Sequence, residues 1–320
     1  MQNVNMSSAL NTYLEDLDFK ITHPDEIKGL PTGLQALDEK IEGFLPGEVV
    51  LIGARPAMGK TSFAINIAHN IALYFSDQNK MNPADDRCVL YFSLADSISQ
   101  IVERFIALDS EISRYTIKRE FMDPSIQTSI KKACANLKHI PIFFSNRGYD
   151  LEEINEEIQK TSAQKQVGCV IIDYLQLVGR SQYRDDFTPL MEQIKDLATK
   201  LNIPFIVLTQ LTRSLESRSC KIPLVSDIRG FSRKQDAADK IIFLYREIYY
   251  IRYQEPEKKK RETDAHFQQR YKEWEERCAE TEYECRVIVS RNKNGSCAYE
   301  KVKFIPEYGK FTDWDNEYCY

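Results

Sequence analysis

Gly59-Lys60-Thr61 follows a short apolar run, Val49-Val-Leu-Ile52, and precedes a segment whose apolar residues Phe63, Ile67, Ile71 and Tyr74 recur at helical spacing. A buried strand, a loop and a helix start in that order are what phosphate binding requires. Backbone N–H groups of the loop and of the first helical turn point at phosphate oxygens. Ala57, Met58, Gly59, Lys60, Thr61 and Ser62 are therefore the candidate nucleotide contacts. A lysine at this position reaches the β- and γ-phosphates and the threonine hydroxyl ligates Mg²⁺, so ATP and Mg²⁺ are the expected cofactors. The first glycine usual in such a loop falls on Ala54, while Gly53 stands one position early. The competing reading is a chance strand–turn–helix that holds no ligand.

A phosphate loop also needs an acid for the magnesium shell. Asp173 ends the apolar run Cys169-Val-Ile-Ile-Asp, and a carboxylate at the C-terminal tip of a buried strand meets nucleotide at the open edge of a sheet. Another apolar run, Phe205-Ile-Val-Leu-Thr-Gln210, ends in an amide. Gln210 either reports the γ-phosphate or bonds to backbone at a strand end.

The elements that must carry these residues alternate. Strands are expected at Cys88–Leu94, Ile140–Phe144, Val167–Leu175, Pro204–Thr209 and Lys240–Tyr245, with helices at Ile98–Leu108, Ser125–Leu137, Leu151–Ser162 and Leu190–Leu201. Buried parallel strands joined by helices make an α/β sheet covered on both faces. Arg286–Ser290 and Ala298–Phe304 read as two strands around Asn294-Gly295, a hairpin-turn signal. Between them and the sheet, residues 252–283 break the rhythm as a charged helical insertion containing Tyr271 and Trp274, either a solvated helix or a partner site. Ahead of the domain, residues 8–20 place Leu10, Tyr13, Leu14 and Leu17 at helical spacing. That lead-in helix, within a 1–26 segment, packs either on its own domain or on a neighbouring subunit; residues 27–320 form the main domain.

Composition sets limits. The chain has 320 residues, 28% charged and 42% apolar, which is ordinary for a globular protein. No stretch approaches a membrane span and Met1–Ser8 is no signal peptide, so no membrane partner and a cytoplasmic location are expected. The eight cysteines form no CxxC pair, which favours reduced structural thiols over metal ligation. A net charge of −5 leaves nucleic-acid contact to a local basic surface.

Arg55-Pro-Ala-Met-Gly-Lys-Thr, Ile172-Asp-Tyr-Leu-Gln-Leu and Leu208-Thr-Gln-Leu-Thr-Arg-Ser-Leu-Glu together resemble the DnaB family of replicative helicases. Gly29-Leu-Pro-Thr-Gly-Leu-Gln-Ala-Leu-Asp, Ser226-Asp-Ile-Arg, Gln235-Asp-Ala-Ala-Asp, Tyr245-Arg246 and Arg291-Asn-Lys-Asn-Gly continue the resemblance, over roughly residues 27–250 and 284–311. It implies a RecA-like P-loop NTPase core with a mostly parallel central sheet, a homo-oligomeric, hexameric ring, and ATP-driven translocation on single-stranded DNA. It also implies that Lys60 and Gln210 act at the γ-phosphate, that Thr61 and Asp173 hold the metal, and that Arg291 and Lys293 reach a neighbour's site. Arg229, Gly230 and Ser232 correspond to a DNA-contacting loop, to which Arg233 and Lys234 add charge; the loop Gly179-Arg-Ser-Gln-Tyr-Arg184 is a lesser candidate. Without the family's N-terminal domain, primase contact is not expected.

Two departures fall on one catalytic step. The family's Ser-Leu-Glu, whose glutamate polarises water, reads Ser93-Leu-Ala95 here; Asp96 in an extended segment would face the other way, and a turn that re-aimed it would still offer a shorter side chain on a shifted backbone. Arg291 and Lys293 stand where the family carries a lysine and an arginine that act in trans, so positive charge is kept at both positions, but lysine lacks the planar fork suited to a γ-phosphoryl group. Three readings follow: a motor with weakened hydrolysis, an ATP-binding oligomer or adaptor that does not hydrolyse, and a recombinase- or loader-like filament.

Overall fold

The computed structural model describes residues 5–22, 27–82, 84–119, 123–179, 186–230 and 237–314. Its strands are β1 (Val49–Ala54), β2 (Arg87–Ser93), β3 (Ile142–Ser145), β4 (Gln166–Asp173), β5 (Phe205–Gln210), β6 (Lys240–Tyr245), β7 (Glu284–Asn292), β8 (Ala298–Ile305) and β9 (Lys310–Asp313). They form one nine-stranded sheet in the order β3-β2-β4-β5-β1-β6-β7-β8-β9. The first six in that order run parallel, and β7 to β9 are antiparallel.

Helices are α1 (Met6–Thr22), α2 (Gln35–Ile41), α3 (Lys60–Met81), α4 (Ile98–Ser110), α5 (Arg114–Ile117), α6 (Pro124–Leu137), α7 (Leu151–Ser162), α8 (Thr188–Leu201), α9 (Ile248–Ile251) and α10 (Asp264–Thr281). Parallel neighbours need crossover connections, and α3 to α8 lie in them. Side-chain alternation in β1 divides the core into two layers. Val50 and Ile52 meet Phe63, Ile67, Ile71 and Phe75 of α3. Val49 and Leu51 join the layer that holds Ile154 and Ile158 of α7 and Leu190 and Ile194 of α8.

Several expected boundaries shift for identifiable reasons. The strand expected from Ile140 starts at Ile142, just past Pro141, which has no N–H for a ladder. The strand expected through Leu175 stops at Asp173, and Leu175–Leu177 is a 3₁₀ turn. Leu175 and Leu177 are buried, so the apolar signal outruns the strand. In the 252–283 insertion the helix occupies Asp264–Thr281. Trp274 Nε1 donates to the Ile251 carbonyl at 2.9 Å, and the Tyr271 ring lies 5.4 Å from the Trp274 ring. Both aromatics thus help seat α10 on α9. The apolar stripe of α1 does not fold back: Tyr13 is 64% exposed, and Leu10, Leu14 and Leu17 are also exposed. No described helix is long and apolar enough to cross a membrane, and the described cysteines are free thiols.

The terminal hairpin is bolted to α3 by Asn66. Its Nδ2 donates to the Ser62 and Gly309 carbonyls, each at 2.7 Å, and its Oδ1 accepts from the Phe311 N–H at 3.0 Å. Asn66 is buried, so truncation leaves backbone groups dry and unpaired. Asn66→Ala is expected to lower unfolding stability by about 2–3 kcal/mol, read as a shifted midpoint at unchanged slope in urea melts.

Candidate nucleotide site

β1 ends at Ala54, the chain turns through residues 55–59, and α3 begins at Lys60. The early glycine has a packing cause. A Cβ at position 53 would stand 2.8 Å from the Phe243 ring of β6, whereas Ala54 is buried without conflict. Ala57 (φ 66°) and Gly59 (φ 89°) take left-handed conformations, which costs an L residue about 1–2 kcal/mol. A Cβ on Gly59 would also meet Phe304 at 3.0 Å. The loop is thus pressed beneath the stacked Phe304 and Phe311 rings, 4.2 Å apart at their centroids. The Met58 side chain is buried and packs into the core.

Side chains cap α4 and α7 through Ser97 and Asp150, but no side chain caps α3. Its first-turn amides are left for an outside acceptor, and with the helix dipole they favour an anion. A cavity of about 320 Å³ opens over them. Ala57, Gly59, Lys60, Thr61 and Ser62 line its floor; Asp173, Tyr174 and Gln210 enter from the strand tips; Ala95, Asp96 and Arg104 form a further wall.

Burial pulls the Lys60 ammonium down to about 8 against the opposing pull of the Asp173 carboxylate. Its Nζ lies 4.6 Å from the centroid of the Tyr174 ring, across the cis Asp173–Tyr174 peptide. Asp173 is itself buried, and that burial raises its carboxyl above the usual range, partly offset by Lys60 and by hydrogen bonds from Thr61 and Tyr91. The Tyr91 hydroxyl donates to Oδ2 at 3.1 Å. Asp173 and Thr61 are thereby brought together as hard oxygen donors beside a phosphate cradle, a donor set that fits Mg²⁺.

At the neighbouring strand tip the Gln176 side chain spans to β5. Its Nε2 donates to Thr209 Oγ1 at 2.7 Å, and its Oε1 accepts the Gln210 N–H at 3.1 Å. It therefore grips the backbone of Gln210, and the Gln210 side chain is left lining the cavity. Arg55 locks the loop instead of facing ligand alone: its Nε donates to Glu216 at 2.8 Å and Nη1 to the Leu211 carbonyl at 2.9 Å. Tyr91, Arg104 and Gln176 are invisible to spacing arguments. Tyr174 and Gln176 lie within the Ile172-Asp-Tyr-Leu-Gln-Leu run, which is the signal that marks them.

Of the two orientations open to Asp96, the structure shows the one that a turn produces. β2 ends at Ser93, residues 94–96 bend, and the Ser93 hydroxyl donates to the Asp96 carbonyl at 2.6 Å. The bend puts both Ala95 and Asp96 on the cavity wall. Alternation along a strand cannot anticipate this because the strand has already ended.

Arg291 and Lys293 are not in this cavity. They sit at the end of β7, which pairs with the start of β6. Lys293 Nζ is 3.0 Å from Asp239 Oδ1, and Asp239 also accepts from Lys195 Nζ at 2.7 Å and the Val49 N–H at 2.8 Å. Burial alone would raise the Asp239 carboxyl, but these donors bring it below its ordinary value. Asn294 Nδ2 donates to Glu48 at 2.7 Å, and Glu48 pairs with the buried Lys240. This network anchors the turn at the start of β1, while the phosphate loop leaves its end. Val49 to Ala54 spans roughly 17 Å at about 3.3 Å per residue, so Lys293 cannot reach the phosphate cradle of its own chain.

Arg229 is exposed, and Gly230 takes φ 71° and accepts from the Phe187 N–H at 3.0 Å. Ile228 bridges Leu211, directly after Gln210. Ser232, Arg233 and Lys234 lie outside the described residues, as do residues 180–185 of the other candidate loop.

Residues 29–313 match the family model described as the DnaB-like helicase C terminal domain. A Rickettsia bellii protein named replicative DNA helicase DnaB is 28% identical over 299 residues, 92% of this chain and 59% of that protein. A Chlamydia psittaci protein named probable plasmid replicative DNA helicase is 33% identical over 301 residues, 92% of this chain and 58% of the relative. The chain thus spans about three-fifths of the length of these relatives. Among solved structures, one described as a DnaB-like replicative helicase and its interactions with primase superposes with a TM-score of 0.76 at 27% identity, covering 98% of this chain and 68% of the other. The sheet order, the cradle at the start of α3 and the extent of these matches together make the chain a member of the DnaB-like helicase C-terminal domain family, with a RecA-like core.

Proposed function

We propose that this chain binds ATP with Mg²⁺ between subunits of a ring and uses it to move along single-stranded DNA. The observation that carries the reading is the cavity over α3, where an uncapped helix start, the Lys60 ammonium and the buried Asp173–Thr61 pair converge. Lys60 and the loop amides bind the β- and γ-phosphates. Thr61 and Asp173 hold Mg²⁺, which when bound neutralises phosphate charge. Gln210 senses the γ-phosphate, and Arg291 with Lys293 completes the site of the adjacent subunit. The exposed stripe of α1 is the surface for that neighbour. Residues 229–234 track the DNA backbone without reading bases; the Leu211–Ile228 bridge ties their segment to the strand tip that carries Gln210.

A second reading is favoured by Ala95, which puts a methyl group on the cavity wall where a carboxylate would be needed: an ATP-gated oligomer or adaptor with little turnover. Steady-state ATP hydrolysis with and without single-stranded DNA, read beside sedimentation with a non-hydrolysable analogue, separates the two. The motor reading expects nucleotide-dependent assembly and DNA-stimulated turnover. Assembly without turnover makes the chain an adaptor, and neither response removes both readings.

A further inference from the structure

We propose that Asp96 is the residue that takes the proton from the water attacking the γ-phosphate. The inference rests on the reading of the cavity as an ATP-hydrolysing site. Two carboxylates line that cavity among the described residues, Asp96 and Asp173. Asp173 is engaged on its own side, buried and hydrogen-bonded by Tyr91 and Thr61. The other charged groups on the lining, Lys60, Arg55 and Arg104, are cations, and Gln210 is an amide with no useful basicity. Asp96 alone combines a free acceptor oxygen, a place on the wall and access to solvent.

Its geometry is fixed, not incidental. The bend after β2, closed by the Ser93 hydroxyl on the Asp96 carbonyl at 2.6 Å, turns the side chain inward. Arg104 Nη2 then holds Oδ2 at 3.2 Å. That engages Oδ2 and not Oδ1, and about a third of the side chain, on the cavity lining, is exposed. In the step assigned to it, the water oxygen forms a bond to the γ-phosphorus as the bond from phosphorus to the β,γ-bridging oxygen breaks. The bridging electron pair leaves with ADP, and the water proton passes to Asp96 and on to solvent. Arg104 is a positioning residue in this scheme.

The test compares wild type with Asp96→Asn and with Asp96→Asn carrying Ala95→Glu, measuring kcat and the affinity for a fluorescent ATP analogue. Asp96→Asn is expected to lower kcat by about 100-fold with analogue affinity within about threefold of wild type. A carboxylate restored next door by Ala95→Glu is expected to bring turnover back to within about tenfold. That recovery distinguishes lost proton acceptance from a lost Arg104 ion pair, which Ala95→Glu does not rebuild. Turnover in Asp96→Asn within about threefold of wild type overturns the assignment, as does a loss that merely follows weaker analogue binding or is not recovered by Ala95→Glu. An inert wild type with an active Ala95→Glu variant removes this assignment while leaving the nucleotide site intact, and an inert, non-binding wild type removes the site itself.

Discussion

Lys60→Ala is expected to abolish ATP turnover, by at least about 10³-fold, and to remove the pH dependence of nucleotide binding. On the proposed reading the amides of the α3 start would bind phosphate in either protein, but only the ammonium would add a full charge where negative charge grows on the transferring group. Burial brings that ammonium down to about 8 in the ligand-free chain. Phosphate oxygens favour the protonated form, so above pH 8 each nucleotide bound takes up a proton. Affinity then falls by up to about tenfold per pH unit until the raised value of the bound state is reached. Calorimetry at pH 8.5 in buffers of different ionisation enthalpy reads this uptake directly, and Lys60→Ala should show none of it. The stability sign is opposite to that of an ordinary lysine gaining a partner. With the folded value below the unfolded one, the unfolded chain holds more protons between pH 8 and 10.5, so Lys60 makes the ligand-free fold more stable as pH rises through that window.

How much of this is legible in the sequence follows from where each signal is stored. The phosphate cradle is local: Lys60, Thr61 and the strand before them are adjacent in sequence, so one window carries the site. Asp173 and Gln210 are remote in sequence, but both end apolar runs, and the parallel pairing of β4, β5 and β1 brings such ends to one edge. Tyr91 reaches Asp173 from the core, and Arg104 reaches the cavity wall, through tertiary packing alone; nothing in their own neighbourhoods distinguishes them from core and helix-surface residues. Asp96 defeats a period-two rule because that rule does not extend past the last strand residue. β9 escapes for a different reason, since four residues offer too short a pattern and its pairing with β8 is set by the turn at Gly309.

The strand geometry that separates Lys293 from its own Lys60 carries the second large expectation. Arg291→Ala together with Lys293→Ala is expected to lower turnover by about 10³-fold while leaving the phosphate cradle of the same chain untouched. β1 stands between the two sites, so on the proposed reading the pair serves another copy, and a ring built by head-to-tail contacts would give each subunit both roles. Mixing then becomes decisive. Chains bearing Lys60→Ala keep intact Arg291 and Lys293; chains bearing the double alanine keep an intact cradle. Each is inert alone, but in rings assembled from equal amounts about a quarter of the interfaces join the two intact halves. A single-turnover burst of that order in the mixture is the expected result, and a cis arrangement leaves the mixture as inert as either parent. Lys293→Arg adds a graded arm, because Asp239 holds the ammonium at 3.0 Å and a guanidinium can keep that contact with one nitrogen while presenting others to phosphate. Faster turnover in Lys293→Arg would show that lysine at this position limits the rate.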